Sequence, residues 1–542
     1  MTIVLAAIHL EPGAESVPLG AACVASALKK AFGGNGDDPG GFSVILEESI
    51  LSEAPGALAE KIIRHKPDAV GFSLYLWNRS SAVKTASLIR ASLRDVFLFA
   101  GGPEVTALPG GLSAAGGGPF DCLVQGEGEN AAVRLFGDTL SGTAYEPLIR
   151  GETLGPEELG ALPSPWLDRT LDISRYTGAL WELARGCPYG CTYCYESKGE
   201  KAVRYFPEER LREELRLFGR SGVPSVFVLD PTFNTDKKRA VRLLDAILKE
   251  APAPHWHFEV RAELLTREQA QRFAALGASL QIGLQSADPR VCAGLGRSLN
   301  RDVFQSRIGL LHEAGVSFGL DLIYGLPGDT LAGYRKSIDF ALSLYPDNLD
   351  MFRLSVLPGT VLRDQAAGAG LVFSAEAPYG VISAPGFPAP DVARAEALSR
   401  AADIFYNRGR AVAWFNQVLY PLGMKPSRFL EGFSGFLEAR NGEVPNDSIA
   451  VEKLQLAYLD DLYGRAKKPY LLPAVWDIVR FNGAWGRALA EGITTQIDFN
   501  YDPEELLEGG ILDIEELAEF CRPCPGKKLV RPCSGGAELL DP

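Results

Sequence analysis

Arg185-Gly-Cys187-Pro-Tyr-Gly-Cys191-Thr-Tyr-Cys194-Tyr195 gathers three thiols on one short segment, directly after an apolar stretch at 180–184 that reads as a buried strand. Thiolates spaced C-x3-C-x2-C on a single loop can converge on one metal centre. A structural zinc asks for a fourth protein ligand, and neither a His nor a further Cys lies close in sequence. An iron–sulfur cluster held by three thiolates leaves one iron open to another ligand. The plainer alternative is three buried thiols without a metal. Nine cysteines in 542 residues are too few for a disulfide scaffold. Cys23, Cys122 and Cys292 are solitary, and a last group, Cys521, Cys524 and Cys533, lies near the end.

Outward from this loop, 180–184 is the first of about six predicted strands, the others at 225–230, 256–261, 280–284, 317–323 and 350–354. Helical patterns at 207–222, 236–250 and 267–276 lie between them, so 179–375 reads as a partial (β/α)6 barrel of the TIM type. The active sites of such barrels lie at the carboxyl ends of the strands, which is where the cysteine loop falls. Upstream, 1–145 alternates apolar strands (3–8, 42–46, 69–73, 96–100, 122–125) with amphipathic helices (19–31, 55–65, 80–93, 129–140). That spacing predicts a doubly wound, Rossmann-like parallel sheet, with a ligand at the loops after Ser73, Ala100 and Gln125. Residues 146–178 read as a linker and 376–542 as a mainly helical domain, which makes the whole an α/β protein.

Composition narrows the function classes. Lys plus Arg is 54 and Asp plus Glu 68, a net charge of −14, which weighs against a nucleic-acid partner. Apolar residues at 46% and charged residues at 23% exclude intrinsic disorder. No apolar run approaches the roughly 20 residues of a membrane helix. The opening Met1-Thr-Ile-Val-Leu-Ala-Ala-Ile-His-Leu10 lacks a basic segment and reads as a strand. The expected location is cytoplasmic.

The cysteine spacing, with aromatic Tyr193 before the last thiol, resembles the signature of the radical S-adenosylmethionine (SAM) superfamily. The resemblance implies a [4Fe–4S] cluster on Cys187, Cys191 and Cys194, with SAM chelated to the open iron and cleaved to a 5′-deoxyadenosyl radical. Further stations follow in the family's order over about 178–375. Asp230, in Val228-Leu-Asp-Pro-Thr-Phe-Asn234, and Arg261, in Phe258-Glu-Val-Arg-Ala-Glu263, match positions that meet the amino and carboxylate groups of SAM. Gln285 and Ser286 resemble the ribose-contacting strand. Tyr324, in Asp321-Leu-Ile-Tyr-Gly325-Leu-Pro-Gly328-Asp329, resembles the adenine-backing G-x-I-x-G-x-x-G-E element, which the chain departs from at Asp321 and Asp329.

The amino-terminal domain has no G-x-G-x-x-G after its first strand, which disfavours a dinucleotide. It resembles the cobalamin-binding domain that precedes the barrel in one radical SAM subgroup. The positions implied are Pro18 and Leu19; Ser73, Leu74, Tyr75 and Trp77; Gly101, Gly102, Pro103 and Thr106; and Gly126, Glu127 and Glu129. Ser73 and Thr106 are expected on the nucleotide tail. None of the five histidines lies in D-x-H-x-x-G, so the lower face of cobalt is expected over Leu74-Tyr-Leu-Trp77 without an imidazole.

The resemblance implies a methyltransferase that transfers methyl from cobalamin to an unactivated carbon of a small molecule. It also implies a flavodoxin- or ferredoxin-type electron donor, with a monomer as the expected state. The competing functions are a cyclase or other rearrangement without net methyl transfer, a non-radical cobalamin methylase, a methylthiotransferase-like modifier, and a binding or sensor protein. Cys521, Cys524 and Cys533, spaced C-x2-C-x8-C, form a candidate second metal site, for zinc or an auxiliary cluster.

Overall fold

A computed structural model describes the chain except for residues 34–40, 142–143, 197–200, 441, 443–444, 446, 504–512 and 535. The first sheet contains β1 (Thr2–His9), β2 (Ser43–Ile50), β3 (Ala69–Ser73), β4 (Phe97–Gly101), β5 (Cys122–Gln125) and β6 (Leu148–Arg150). All pairings are parallel, in the order β2-β1-β3-β4-β5-β6. The chain reverses direction across the sheet between β1 and β3, and ligands bind at the carboxyl ends beside such a switch. In β1, residues 3–8 are buried throughout, as expected of a parallel strand covered on both faces. One core holds Val4, Ile62, Val70 and Phe72; the opposite one holds Leu5, Leu28, Phe99 and Phe136.

Two details differ from the sequence reading. The presumed linker contains β6, a three-residue edge strand too short to show a period. β2 runs on to Ile50 through Glu47 and Glu48, charges that an edge strand tolerates because one side faces water.

The second sheet is an open half-barrel of six parallel strands: β7 (Gly178–Glu182), β8 (Ser225–Leu229), β9 (His255–Val260), β10 (Ser279–Gln285), β11 (Ser317–Tyr324) and β12 (Asn348–Arg353). Helices Glu208–Ser221, Lys237–Glu250, Arg267–Leu276, Arg301–Ala314 and Leu331–Leu342 follow the first five strands. The core that these elements bury continues into the carboxyl-terminal helices without a break. There Phe405 meets Phe429 and Phe433 edge to face, with ring centroids 4.8 and 4.9 Å away. Helices Ala389–Ala402, Pro426–Glu438, Ser448–Arg465 and Leu472–Glu491 build this layer.

The last residues add an antiparallel sheet of Thr495–Phe499, Gly526–Cys533 and Gly536–Leu540, which the sequence reading did not foresee. Because the barrel and the helical layer share one core, Phe405→Ala should lower the unfolding free energy by about 3–5 kcal/mol, measured by chemical denaturation.

Candidate active site

The loop after β7 carries the three thiols. Cys187 and Cys191 are buried and Cys194 is partly so. The loop is fixed from three sides: the Cys194 amide donates to the Cys191 carbonyl at 3.1 Å, the Thr192 amide to Leu295 at 2.9 Å, and the Leu362 amide to the Thr192 carbonyl at 2.8 Å. Gly296, at φ +71, runs so close to Gly190 that a Cβ there would lie 2.5 Å from its carbonyl oxygen. Burial pushes the Cys187 thiol pKa up, while a hydrogen bond from Thr232 works against that shift. Among the described residues no three His, Cys, Asp or Glu side chains come close enough to hold a single metal ion. A four-iron cluster distributes its thiolates over separate irons, so it asks for a wider triangle than one ion does.

The strand ends around this loop sort the other predicted SAM residues. Arg261 arrives beside the thiols, its guanidinium 3.8 Å from the Tyr189 ring centroid and 2.6 Å from Glu263. The Tyr193 phenol is hydrogen-bonded to Arg297. Gln285 sits at φ +68 with its side chain buried and its Oε1 without a partner.

Three predicted contact residues have partners within the chain. Asp230 is engaged by Arg239 at 3.0 Å and by the Thr232 amide at 3.3 Å, which occupies its carboxylate. Ser286 faces the outer helix, 3.5 Å from Ser337, and accepts the Asp288 amide. Tyr324 packs on Tyr334 of that helix, ring centroids 5.7 Å apart. Strand alternation explains this last case: Asp321 points into the barrel, so a residue three positions on points out.

In the first domain a cavity of about 230 Å³ opens beside the switch point. Its lining includes Gly20, Gly71, Ser73, Tyr75, Gly101, Gly102, Gly126, Glu127 and Glu129. A Cβ on Gly71 would press on Phe99 and come within 2.7 Å of Leu5, while Gly102, at φ +102, lies 2.7 Å from the Leu74 carbonyl by the same measure. Tyr75 stacks on Trp77 with centroids 4.5 Å apart, and the Trp77 indole donates to the Ile8 carbonyl. Leu74 is core, Pro18 starts the first helix, and Leu19 packs toward the barrel core. The Thr106 hydroxyl donates to Gly102 O and accepts the Gly126 amide, both at 3.0 Å. It therefore braces the loops.

Glu127 and Glu129 have a role that the sequence did not reveal. Arg185, two residues before Cys187, bonds Glu129 at 2.6 Å, Glu182 at 2.9 Å and Glu127 at 3.2 Å. Glu127 also takes Arg204 at 2.6 Å. These carboxylates tie the cluster strand to the first domain, and Arg185 itself lines the cavity. Tyr195 donates to the Pro103 carbonyl at 3.3 Å, so the thiol loop and the glycine loop touch. Tyr379 donates to Glu104 at 2.7 Å from the far side.

Inside the barrel a second cavity of about 680 Å³ is lined by His257, Glu259, Gln281, Asp321 and Asp350, among others. Burial and the neighbouring Asp321, Glu196, Asp230 and Glu15 push the Glu259 carboxyl up to about 7. Burial pushes Asp321 up to about 6, and burial pushes His257 down to about 4. The polar residues alternate along β9 to β12, a signal present in the sequence that the reading of strands alone passed over.

Residues 181–341 match the model of the radical SAM superfamily, and residues 6–136 match the B12 binding domain. The chain thus carries a radical SAM domain and, before it, a B12-binding domain. The cobalamin-dependent radical SAM methyltransferase TokK of Streptomyces tokunonensis is 28% identical over 353 residues, covering 58% of this chain and 51% of that one. The 2-(S-pantetheinyl)-carbapenam-3-carboxylate methyltransferase of Streptantibioticus cattleyicolor is 27% identical over 342 residues, covering 56% and 50%. The chain thus spans about half the length of these curated relatives. The radical SAM methyltransferase TsrM of Kitasatospora setae shares the fold, with TM-score 0.54 and 17% identity over 69% of this chain and 77% of that one.

The two domains imply a [4Fe–4S] cluster, SAM and cobalamin, and the residues present fit them. Three thiols share one braced loop, a buried Gln285 acceptor is unpaired, and the cavity beside the switch point is lined by glycines, of which Gly71 and Gly102 have no room for a Cβ against Phe99 and Leu74. No helix among the described residues is long and apolar enough to cross a membrane.

The predicted second metal site does not form. Cys524 precedes and Cys533 ends the strand Gly526–Cys533, which at strand pitch spans about 23 Å. Cys521 packs at the edge of the main core.

Two outcomes follow from the charges. Arg185→Ala should cost about 3–5 kcal/mol in denaturant melts, because it leaves Glu129 and Glu182 without their counter-charge while Glu127 keeps Arg204. Arg185→Lys should recover only part of that, having no fork. For Glu259, the raised pKa means the stability of the protonated form is present below its ordinary value of 4.5 and is lost as pH rises through about 7. The lumen is open to water, which screens the effect. Glu259→Gln should therefore raise stability by on the order of 1 kcal/mol at about pH 8 and leave it unchanged at about pH 4, read by thermal melts.

Proposed function

We propose that the protein is a cobalamin-dependent radical SAM methyltransferase acting on an unactivated carbon of a small molecule. The observation that carries this reading is the seam between the domains: the thiol loop and the corrinoid cradle are joined through Arg185 and through Tyr195 on Pro103. A methyl donor and a hydrogen-abstracting centre must address one substrate carbon, so the elements holding them must be rigidly adjacent. When bound, the cluster supplies the electron that cleaves SAM, and the corrin supplies the methyl group that the carbon receives.

The chain's own residues bind and orient. Cys187, Cys191 and Cys194 hold the cluster. Arg261, already stacked on Tyr189, presents a guanidinium to the carboxylate of SAM, a geometry that suits this partner. The Gln285 Oε1 accepts a hydrogen bond from the nucleoside. Gly71, Gly101 and Gly102 let backbone approach the macrocycle, with Ser73 and Tyr75 at its rim. The hollow barrel receives the substrate, and the walls of the two domains exclude bulk water from the radical.

Replacing Cys187, Cys191 and Cys194 together by Ala should remove the iron and abolish 5′-deoxyadenosine formation under anaerobic reduction, while cobalamin is retained. A triple variant that still cleaved SAM would overturn the assignment. For methyl transfer, mass analysis of the product should show the gain of one methyl group; cleavage of SAM with a product of unchanged mass would point to rearrangement instead.

A further inference from the structure

The interior of a parallel barrel is ordinarily filled by layers of branched apolar side chains. Here it is hollow, with polar residues where those layers would be. Glu259 on β9 stands opposite Gln281 on β10, and Asp321 on β11 stands opposite Asp350 on β12. Gln281 donates to Asp321 and, at 3.2 Å, to Asp350, which also accepts Asn348 at 2.7 Å. Asp321 lies two strand spacings across and two residues along from Glu259, about 12 Å away.

Among the described residues no Lys or Arg lines this cavity. The lumen's histidine does not supply the missing charge. His257 lies flat on Phe227, ring centroids 4.2 Å apart, and burial holds its pKa near 4, so it is neutral at physiological pH. Nor do the carboxyls suit a divalent ion, since among the described residues no three of them converge. They are spread along a wall, as an extended organic cation would require.

Above the acidic wall lies the acceptor assigned to the nucleoside. Gly283 is the next inward position on β10 after Gln281, and the Gln285 amide group folds into the space that a Cβ on Gly283 would take. Gln285 is 8% exposed and its Oε1 is unpaired. The Arg297 guanidinium lies beside it on the Gly283 carbonyl, so this end of the strand is distinct from the acidic wall below.

We infer that the substrate is an amine-bearing small molecule whose ammonium groups are held between Glu259 and the Asp321–Asp350 pair, beneath the thiol loop. This deepens, and rests on, the methyltransferase reading. An arriving ammonium would restore the ionised form of carboxyls that now repel one another. The same wall disfavours anionic compounds, because its carboxyls repel them.

The test is calorimetric titration of the enzyme loaded with cluster, cobalamin and SAM, at about 0.15 M salt so that long-range attraction to an acidic protein is screened. The probes are hexamethylenediamine, its N,N′-diacetyl derivative and adipate, three chains of similar length that carry two positive charges, none, or two negative charges. Saturable diamine binding is expected, at least about tenfold tighter than either control, and weakened about tenfold by Glu259→Gln or Asp321→Asn. Diamine binding no tighter than adipate, or equal in wild type and both variants, would overturn the inference. The wild-type probe series needs no variant to fold. Formation of 5′-deoxyadenosine by the reduced wild-type enzyme is measured in parallel. Cleavage of SAM without a diamine preference overturns the amine inference alone, and a lack of cleavage overturns the methyltransferase reading.

Discussion

The guanidinium of Arg185 lies among carboxylates from two domains, Glu182 of its own strand and Glu127 and Glu129 of the B12-binding domain. With only 15% of the side chain exposed, the group is largely taken out of water. Desolvating such a cluster offsets much of its Coulomb attraction, so its net contribution to stability is small, but it tolerates almost no other arrangement. What it fixes is position. Cys187 follows two residues later, so the docking of the domains sets where the thiol loop stands relative to the glycine-floored cradle. Burial alone would push the guanidinium pKa down, and Glu182 and Glu129 outweigh it and push it up.

Other contacts gather at the same seam. Tyr195 reaches from the thiol loop to Pro103, and Tyr379 reaches from beyond the barrel to Glu104, which Arg79 also binds at 3.1 Å. The strand pair around residues 372–383 therefore closes on the first domain from the side opposite Arg185. The helical layer contributes less directly: it shares the barrel's core, and so holds β12 and its neighbours in place.

How much of this was legible depends on what kind of signal a residue leaves. The thiol spacing and the alternation of apolar segments are local patterns, and both sheets follow from them. Polar residues near a ligand site are ambiguous, because a side chain that touches a ligand and one that braces a loop look alike in sequence. Thr106, Glu127, Glu129 and Asp230 all matched positions of a binding pattern, yet each is committed to a partner elsewhere in the protein. Ser286 and Tyr324 failed for another reason: which face of a strand a residue takes depends on phase, and the phase is carried by Gln281 and Asp321 upstream. The edge strand Leu148–Arg150 and the terminal antiparallel sheet left no period long enough to read.

The hollow barrel runs against the interest of stability. Filling alternate positions of β9 to β12 with branched apolar residues would bury more surface and remove repulsion among Glu259, Asp321 and Asp350. The fold tolerates the cavity because its cohesion lies outside, where the strands' other faces, the surrounding helices and the Phe405 cluster make one continuous core. A protein that keeps charged groups around empty space at a cost in folding energy places its constraint on what enters that space. The seam at Arg185 and the acidic wall at Glu259 are thus complementary. In the proposed function, one would fix the two reactive groups relative to each other, and the other would select the molecule that comes between them.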